Sequence, residues 1–149
     1  MSKLNFTVTK DGKQYTDYNW DEKTKTFSTT FSTNDLVLDF SGINGVTFNT
    51  GYNCTFTTGP NCTFTTGPNC TFKTGSDCNF NTGNNCTFTT SYNCTFTTGE
   101  KCVVVRRDIY EIIELVEGET IKLNDCNIKG FTKINTKKII TIDKTSSQL

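Results

Sequence analysis

From residue 36 to residue 105 the chain repeats one polarity pattern every eight positions: an apolar side chain, a polar one, an aromatic, and another polar one. The apolar column reads Leu38, Val46, Cys54, Cys62, Cys70, Cys78, Cys86, Cys94 and Cys102. Two places further on stand Phe40, Phe48, Phe56, Phe64, Phe72, Phe80, Phe88, Phe96 and Val104. Alternation with a period of two describes a short strand with one buried face, so cysteine and phenylalanine point inward and threonine outward. No octad offers the apolar spacing or the residue types of a helix, whereas threonine and phenylalanine suit a pleated, half-buried surface.

The other half of each octad reads as a corner. In Gly59-Pro60-Asn61-Cys62, proline fits the second position of a type II turn and asparagine the third, where φ is positive. Asn53, Asn69, Asp77, Asn85 and Asn93 hold the same slot, and Gly51, Gly67, Gly75, Gly83 and Gly99 precede it as backbone slack; Ser91 is the departure. A short fixed period means one unit stacked along an axis, hence a solenoid. Two strand-plus-corner sides close a coil of about 16 residues, and three sides close one of about 24; the period is compatible with both. The fold expected is all-β: a short single-chain β-solenoid with two strands per coil and β-rich N- and C-terminal caps. With coils roughly 4.8 Å apart, it is a rod about 20 Å long.

This divides the chain into an N-terminal cap (1–35), the octapeptide solenoid (36–105) and a C-terminal cap (106–149). The caps are expected because an open solenoid exposes strand edges that invite aggregation. In the first cap, strands are predicted at 4–9, 14–20 and 25–31 around an Asp11-Gly12 turn, with Tyr15, Tyr18, Trp20, Phe27 and Phe31 as a small core. In the second cap, residues 109–116 have both helical spacing (Ile109, Ile112, Ile113, Val116) and the β-branched content of a strand. The following Glu117-Gly118-Glu119 turn favours the strand. Arg106, Arg107 and Asp108 read as a solvated junction, and Cys126 as a further core residue.

Composition then removes several functions. Fifteen basic and fifteen acidic residues balance, with no long basic run, which argues against nucleic acid or an anionic membrane as partner. The opening Met-Ser-Lys-Leu-Asn-Phe-Thr has no signal-peptide core and no stretch reaches the length of a membrane span, so intracellular synthesis of a soluble chain is expected. Cysteines stacked one coil apart have parallel Cβ vectors, a poor geometry for disulfides, so the eight cysteines read as reduced, small hydrophobes. With no histidine and no closely spaced cysteine pairs, neither zinc nor another cofactor is expected. Asn53-Cys54-Thr55 and its copies match the glycosylation pattern, but a turn asparagine followed by a strand threonine accounts for each.

The repeated Asn-Cys-Thr-Phe-Thr-Thr-Gly block, closed by Gly99-Glu100-Lys101-Cys102-Val103-Val104-Val105-Arg106-Arg107-Asp108-Ile109, resembles uncharacterised Cys-Thr-Phe octapeptide-repeat proteins of large DNA viruses, phages and environmental sequences. The resemblance covers residues 45–116 and implies a virus-like structural component without an established activity. A second likeness concerns the outer face. Thr55, Thr57, Thr63, Thr65, Thr87, Thr89, Thr95 and Thr97 form Thr-x-Thr ranks similar to those of insect antifreeze β-solenoids, where flat threonine arrays order water in register with ice. In a two-sided coil Lys73 interrupts one face, and Asn79 with Asn81 the other.

No nucleophile motif, phosphate-binding glycine loop or repeat-placed carboxylate pair supports an enzyme, so no catalytic residue is assigned. The expected function is a non-enzymatic structural or interaction protein: a rigid spacer or virion-associated component whose caps bind protein partners or other copies. Ice binding through the threonine ranks is the alternative.

Overall fold

A computed structural model describes residues 6–134. Every regular element among them is a strand. In chain order these are β1 (Thr7–Lys10), β2 (Lys13–Gln14), β3 (Asn19–Asp21), β4 (Thr26–Ser28), β5 (Leu36–Phe40), β6 (Thr47–Asn49), β7 (Thr55–Thr58) and β8 (Thr63–Thr65). They continue as β9 (Thr71–Lys73), β10 (Asn79–Asn81), β11 (Thr87–Thr90), β12 (Thr95–Thr97), β13 (Cys102–Arg106), β14 (Glu111–Leu115), β15 (Thr120–Leu123) and β16 (Phe131–Ile134). They form two eight-stranded sheets, ordered β14-β13-β11-β9-β7-β5-β1-β2 and β16-β15-β12-β10-β8-β6-β4-β3, here called sheets A and B.

Successive octads alternate between the sheets, so the coil has two sides and the three-sided alternative is excluded. Parallel partners are 16 residues apart: Phe56 pairs with Phe72 and Phe72 with Phe88 in sheet A, and Phe64 with Phe80 and Phe80 with Phe96 in sheet B. This register stacks identical side chains. Phe56 and Phe72 lie with ring centroids 4.9 Å apart and planes 3° from parallel, and Phe64 and Phe80 repeat the arrangement at 4.9 Å and 3°. Between the sheets the rings meet edge to face, as Phe64 and Phe72 do at 5.1 Å and 75°. Both geometries are the favoured ones for aromatic pairs, and they extend through every coil.

The corners turn as the sequence reading requires, with φ between 55° and 62° at Asn53, Asn61, Asn69, Asp77, Asn85 and Asn93. Asp35 and Lys101, both at 60°, occupy the same slot at the two ends of the repeat. This left-handed residue directs its own N–H along the axis: Asn61 N–H reaches Ser76 O at 3.0 Å, and Asn69 N–H reaches Asn84 O at 2.9 Å. Corner backbone is thus paired with the next coil instead of within its own turn.

The corner glycines require a correction. None of Gly51, Gly67, Gly75, Gly83 and Gly99 has positive φ, so their role is room and not slack. A Cβ on Gly75 would fall 2.9 Å from Pro60 N, and one on Gly83 would fall 2.8 Å from Pro68 N.

At the N-terminal end, β1 runs antiparallel to β5, and the β1–β2 turn has positive φ at both Asp11 (53°) and Gly12 (79°), the signature of a tight hairpin. The strand expected at 14–20 is broken. Its first residue ends β2 in sheet A, its last residues start β3 in sheet B, and Tyr15 and Tyr18 cross between them over the core. Phe6 caps the aromatic columns by stacking on Phe40 at 4.1 Å. Phe31 is not part of this core: it is 69% exposed, beyond β4, in a turn held by Thr33 N–H to Thr30 O at 3.1 Å. Of the strand expected at 4–9, residues 4 and 5 lie outside the described residues.

At the other end, the ambiguous segment is the strand β14, antiparallel to β13; β15 covers β12 and β16 covers β15, also antiparallel. Cys126 is exposed, on the loop between β15 and β16, which lies outside the period that buries the other cysteines. The part of the C-terminal cap beyond 134 lies outside the described residues.

Candidate functional site

The outward face of each sheet is a grid whose strands are one coil apart. In sheet A the columns run Val37–Thr55–Thr71–Thr87–Val103 and Asp39–Thr57–Lys73–Thr89–Val105. In sheet B they run Thr47–Thr63–Asn79–Thr95 and Asn49–Thr65–Asn81–Thr97. The eight threonines singled out from the sequence therefore divide equally between opposite faces: Thr55, Thr57, Thr87 and Thr89 on A, Thr63, Thr65, Thr95 and Thr97 on B. On each face the two ranks are separated by an intervening strand, β9 or β10. Only the Thr55–Thr71–Thr87 column is unbroken over three coils. On face B the interruption by Asn79 and Asn81 lies in a shallow depression of about 310 Å³, bounded by Thr63, Thr65, Thr95 and Thr97.

A second set of threonines faces inward. Thr50, Thr58, Thr66, Thr74, Thr82, Thr90 and Thr98 are all buried. The hydroxyl of Thr58 donates to Gly59 O at 3.1 Å, and Thr66, Thr74, Thr82, Thr90 and Thr98 each donate likewise to the next carbonyl; Thr50 has no partner. The sequence contains the signal for this layer. Threonine is kept at this position in seven successive octads, while the outward positions change to lysine, asparagine or valine.

The thiols complete the same corner. Cys78 Sγ donates to Gly59 O at 3.8 Å and to Ser76 O at 3.6 Å, and Cys70, Cys86, Cys94 and Cys102 each engage two carbonyls in the same way. A thiol is small, apolar and a weak donor, which suits a buried corner lined with carbonyl oxygens. Contact with the neighbouring Cys54 thiol, together with burial, pushes Cys70 up to about 11. Cys62 and Cys86 are also raised, by the thiols of Cys78 and Cys70 and by burial, and Cys102 is raised by burial. Cys54 and Cys94 are lowered because Cys70 and Cys78 hydrogen-bond to them, yet both are closed off from solvent. All seven octad thiols are free and buried, so none is presented to a substrate. Among the described residues, no group of three or more cysteine, histidine or acidic side chains could hold a metal ion.

The Arg106 junction is also corrected. Arg106 pairs in register with Thr90, so it occupies the inward threonine position one coil on, and its side chain is wholly buried. Nε and Nη2 donate to the two oxygens of Asp108 at 3.1 and 2.6 Å, Nη1 donates to Ile128 O at 2.6 Å, and Nη2 also reaches Asp125 O at 3.2 Å. Glu111 lies 3.8 Å away and accepts from Gly130 N–H. The guanidinium thus ties β13 to the 124–130 loop. Burial tends to raise the Asp108 carboxyl, but the Arg106 hydrogen bond and charge and the Asn127 N–H outweigh it and hold the group below its ordinary value. Arg107, exposed, reaches back to donate to Thr74 O.

What the molecule presents to solvent is therefore two flat, mixed threonine faces and two capped ends, while its thiols, aromatic rings and one arginine are held inside. No protein-family model, curated protein or solved structure matches the chain.

Proposed function

We propose that the chain is a non-enzymatic structural or interaction protein, a rigid β-solenoid spacer whose caps attach it to other copies or to a larger surface. The octapeptide resemblance makes a virion-associated component the finer form of this reading. The observation that carries it is the pair of continuous phenylalanine columns, with neighbouring rings 4.8–4.9 Å apart from Phe48 to Phe96, joined by edge-to-face contacts across the sheets. Interiors packed in this way transmit strain instead of yielding, which suits a spacer. The test challenges the immobilised full chain with purified copies of itself and with intact virus particles, alongside a broad substrate screen. Retention of either without turnover is the expected result. Turnover of a substrate with no retention of copies or particles overturns the reading.

Ice binding is the second reading, favoured by the unbroken Thr55–Thr71–Thr87 column. Lys73, Asn79 and Asn81 weigh against it, because a long charged side chain stands in the middle of one face and two amides in the other. Thermal hysteresis that Thr71→Lys removes would establish it; an absence of both hysteresis and crystal shaping would eliminate it.

A further inference from the structure

Among the described residues, sheet A ends in β2 at one end and β14 at the other, and sheet B ends in β3 and β16. Each of these four strands has a neighbour on one side only, so each presents a row of unpaired backbone groups. The charges within them are of one sign per strand. β2 (Lys13, Gln14) is basic and β14 (Glu111, Glu114) acidic; β3 (Asn19, Trp20, Asp21) is acidic and β16, through Lys133, basic. The adjoining turns carry both signs, with Asp11 beside Lys10 and Lys13, and Lys23 and Lys25 beside Asp21 and Glu22. Glu119 also pairs with Lys133 at 3.2 Å.

We infer that the molecule stacks head to tail on a second copy, β14 of one copy pairing with β2 of the next, and β16 with β3. This rests on the spacer reading above and names its partner. Three observations agree on it. The first is charge: both joints bring opposite signs together, whereas two copies meeting by the same end would set acidic β14 against acidic β14, or basic β2 against basic β2. The second is strand direction. β14 runs against the parallel strands of sheet A, and β2, antiparallel to β1, runs with them. β16 runs with the parallel strands of sheet B, and β3 runs against them. Translation of one copy along the solenoid axis therefore makes both joints antiparallel, the more stable pairing. The third is exposure. Of nine large apolar side chains left exposed, six (Tyr110, Ile112, Val116, Ile128, Phe131 and Ile134) lie in the C-terminal cap, which marks that end as a contact surface.

Such a contact joins unlike ends, so it does not close on itself and produces filaments. Because β2 has two residues and β3 three, each joint is short and assembly depends on concentration.

Sedimentation velocity and negative-stain microscopy of the full chain, up to the millimolar range, test this. The expected result is an average mass that climbs with concentration without a plateau, falls with added salt, and corresponds to thin unbranched rods. The exposed-site variants Lys13→Glu and Glu114→Lys are each expected to remain monomeric alone, because each puts like charges at its own β14–β2 joint. Mixed in equal amounts they are expected to co-assemble in alternation, one joint wild-type and the other charge-reversed. That rescue also shows that both variants are folded. A wild-type protein that is monomeric throughout, a closed dimer indifferent to Lys13→Glu, or a failure of the mixture to assemble would each overturn the inference. Loss of self-stacking with continued retention of virus particles leaves the spacer reading standing, so the two failures are distinguishable.

Discussion

Gly75 lies so close beneath Pro60, one coil away, that a Cβ placed on it would stand 2.9 Å from the proline nitrogen and 3.1 Å from its Cα. The obstacle is backbone, which a rotamer change cannot move aside. Gly75→Ala is therefore expected to force adjacent coils apart at that corner, at a cost of roughly 1–3 kcal/mol, as for other overpacked sites. Gly67→Ala meets its nearest atom, Tyr52 Cβ, at 3.3 Å and is expected to cost less. Urea denaturation midpoints of the two variants, at unchanged slope, check the order.

Thiol reactivity separates the octad cysteines from Cys126. The seven in the ladders are at most 3% exposed, whereas Cys126 is open to solvent. A thiol-specific reagent added to native protein is expected to modify one sulfur per chain rapidly and the remaining seven only on unfolding. Cys126→Ser is expected to abolish the fast phase. Rapid modification of most of the sulfurs in the folded state would reverse the assignment of inside and outside.

The coil was legible in the sequence because its period and its alternation are local, and both survive folding unchanged. Cys54, Phe56 and Asn53 could be placed inside, inside and at the corner from spacing alone. Arg106 was legible too, eight positions after Thr98, but its charge suggested solvent, and only the pairing of β13 with β11 shows that it points inward. The corner glycines were misread for a different reason: their constraint comes from a backbone 16 residues away in the neighbouring coil, which no local rule contains. Cys126 and Phe31 lie outside the period, so their residue types were the only guide, and residue type overestimates burial in turns. The threonine ranks were legible as outward positions, but their division between two opposite faces depends on the number of sides per coil.

The pair of Arg106 with Asp108 imposes a pH dependence. A carboxyl held below its ordinary value contributes stability that is fully present above that value, 3.8, and is lost as pH falls through the lowered value of the folded state. Acid unfolding of the wild type is therefore expected to steepen below about pH 4. Asp108→Asn is expected to remove that part of the slope. It is also expected to cost roughly 3 kcal/mol at neutral pH, the lower end for a broken buried pair, since Glu111 remains 3.8 Å from the guanidinium. Chemical denaturation across pH 2–7 distinguishes this from a general loss of stability, which would lower the whole curve without changing its shape.

Lys101 closes the series of left-handed corners with φ 60°, where the preceding octads place asparagine or aspartate. A side chain with no short polar group to bond its own backbone is strained there by about 1 kcal/mol relative to asparagine or glycine. Its side chain is exposed, and it is absent from the ion pairs of the described residues. Lys101→Asn is thus expected to stabilise the protein by roughly 0.5–1 kcal/mol, and the gain should appear as a higher denaturation midpoint. Lys101→Gly relieves the same strain but loosens the unfolded chain, so it should fall between wild type and Lys101→Asn. If neither substitution raises the midpoint, the corner at 101 is not held in the left-handed conformation that orients Cys102 into the core.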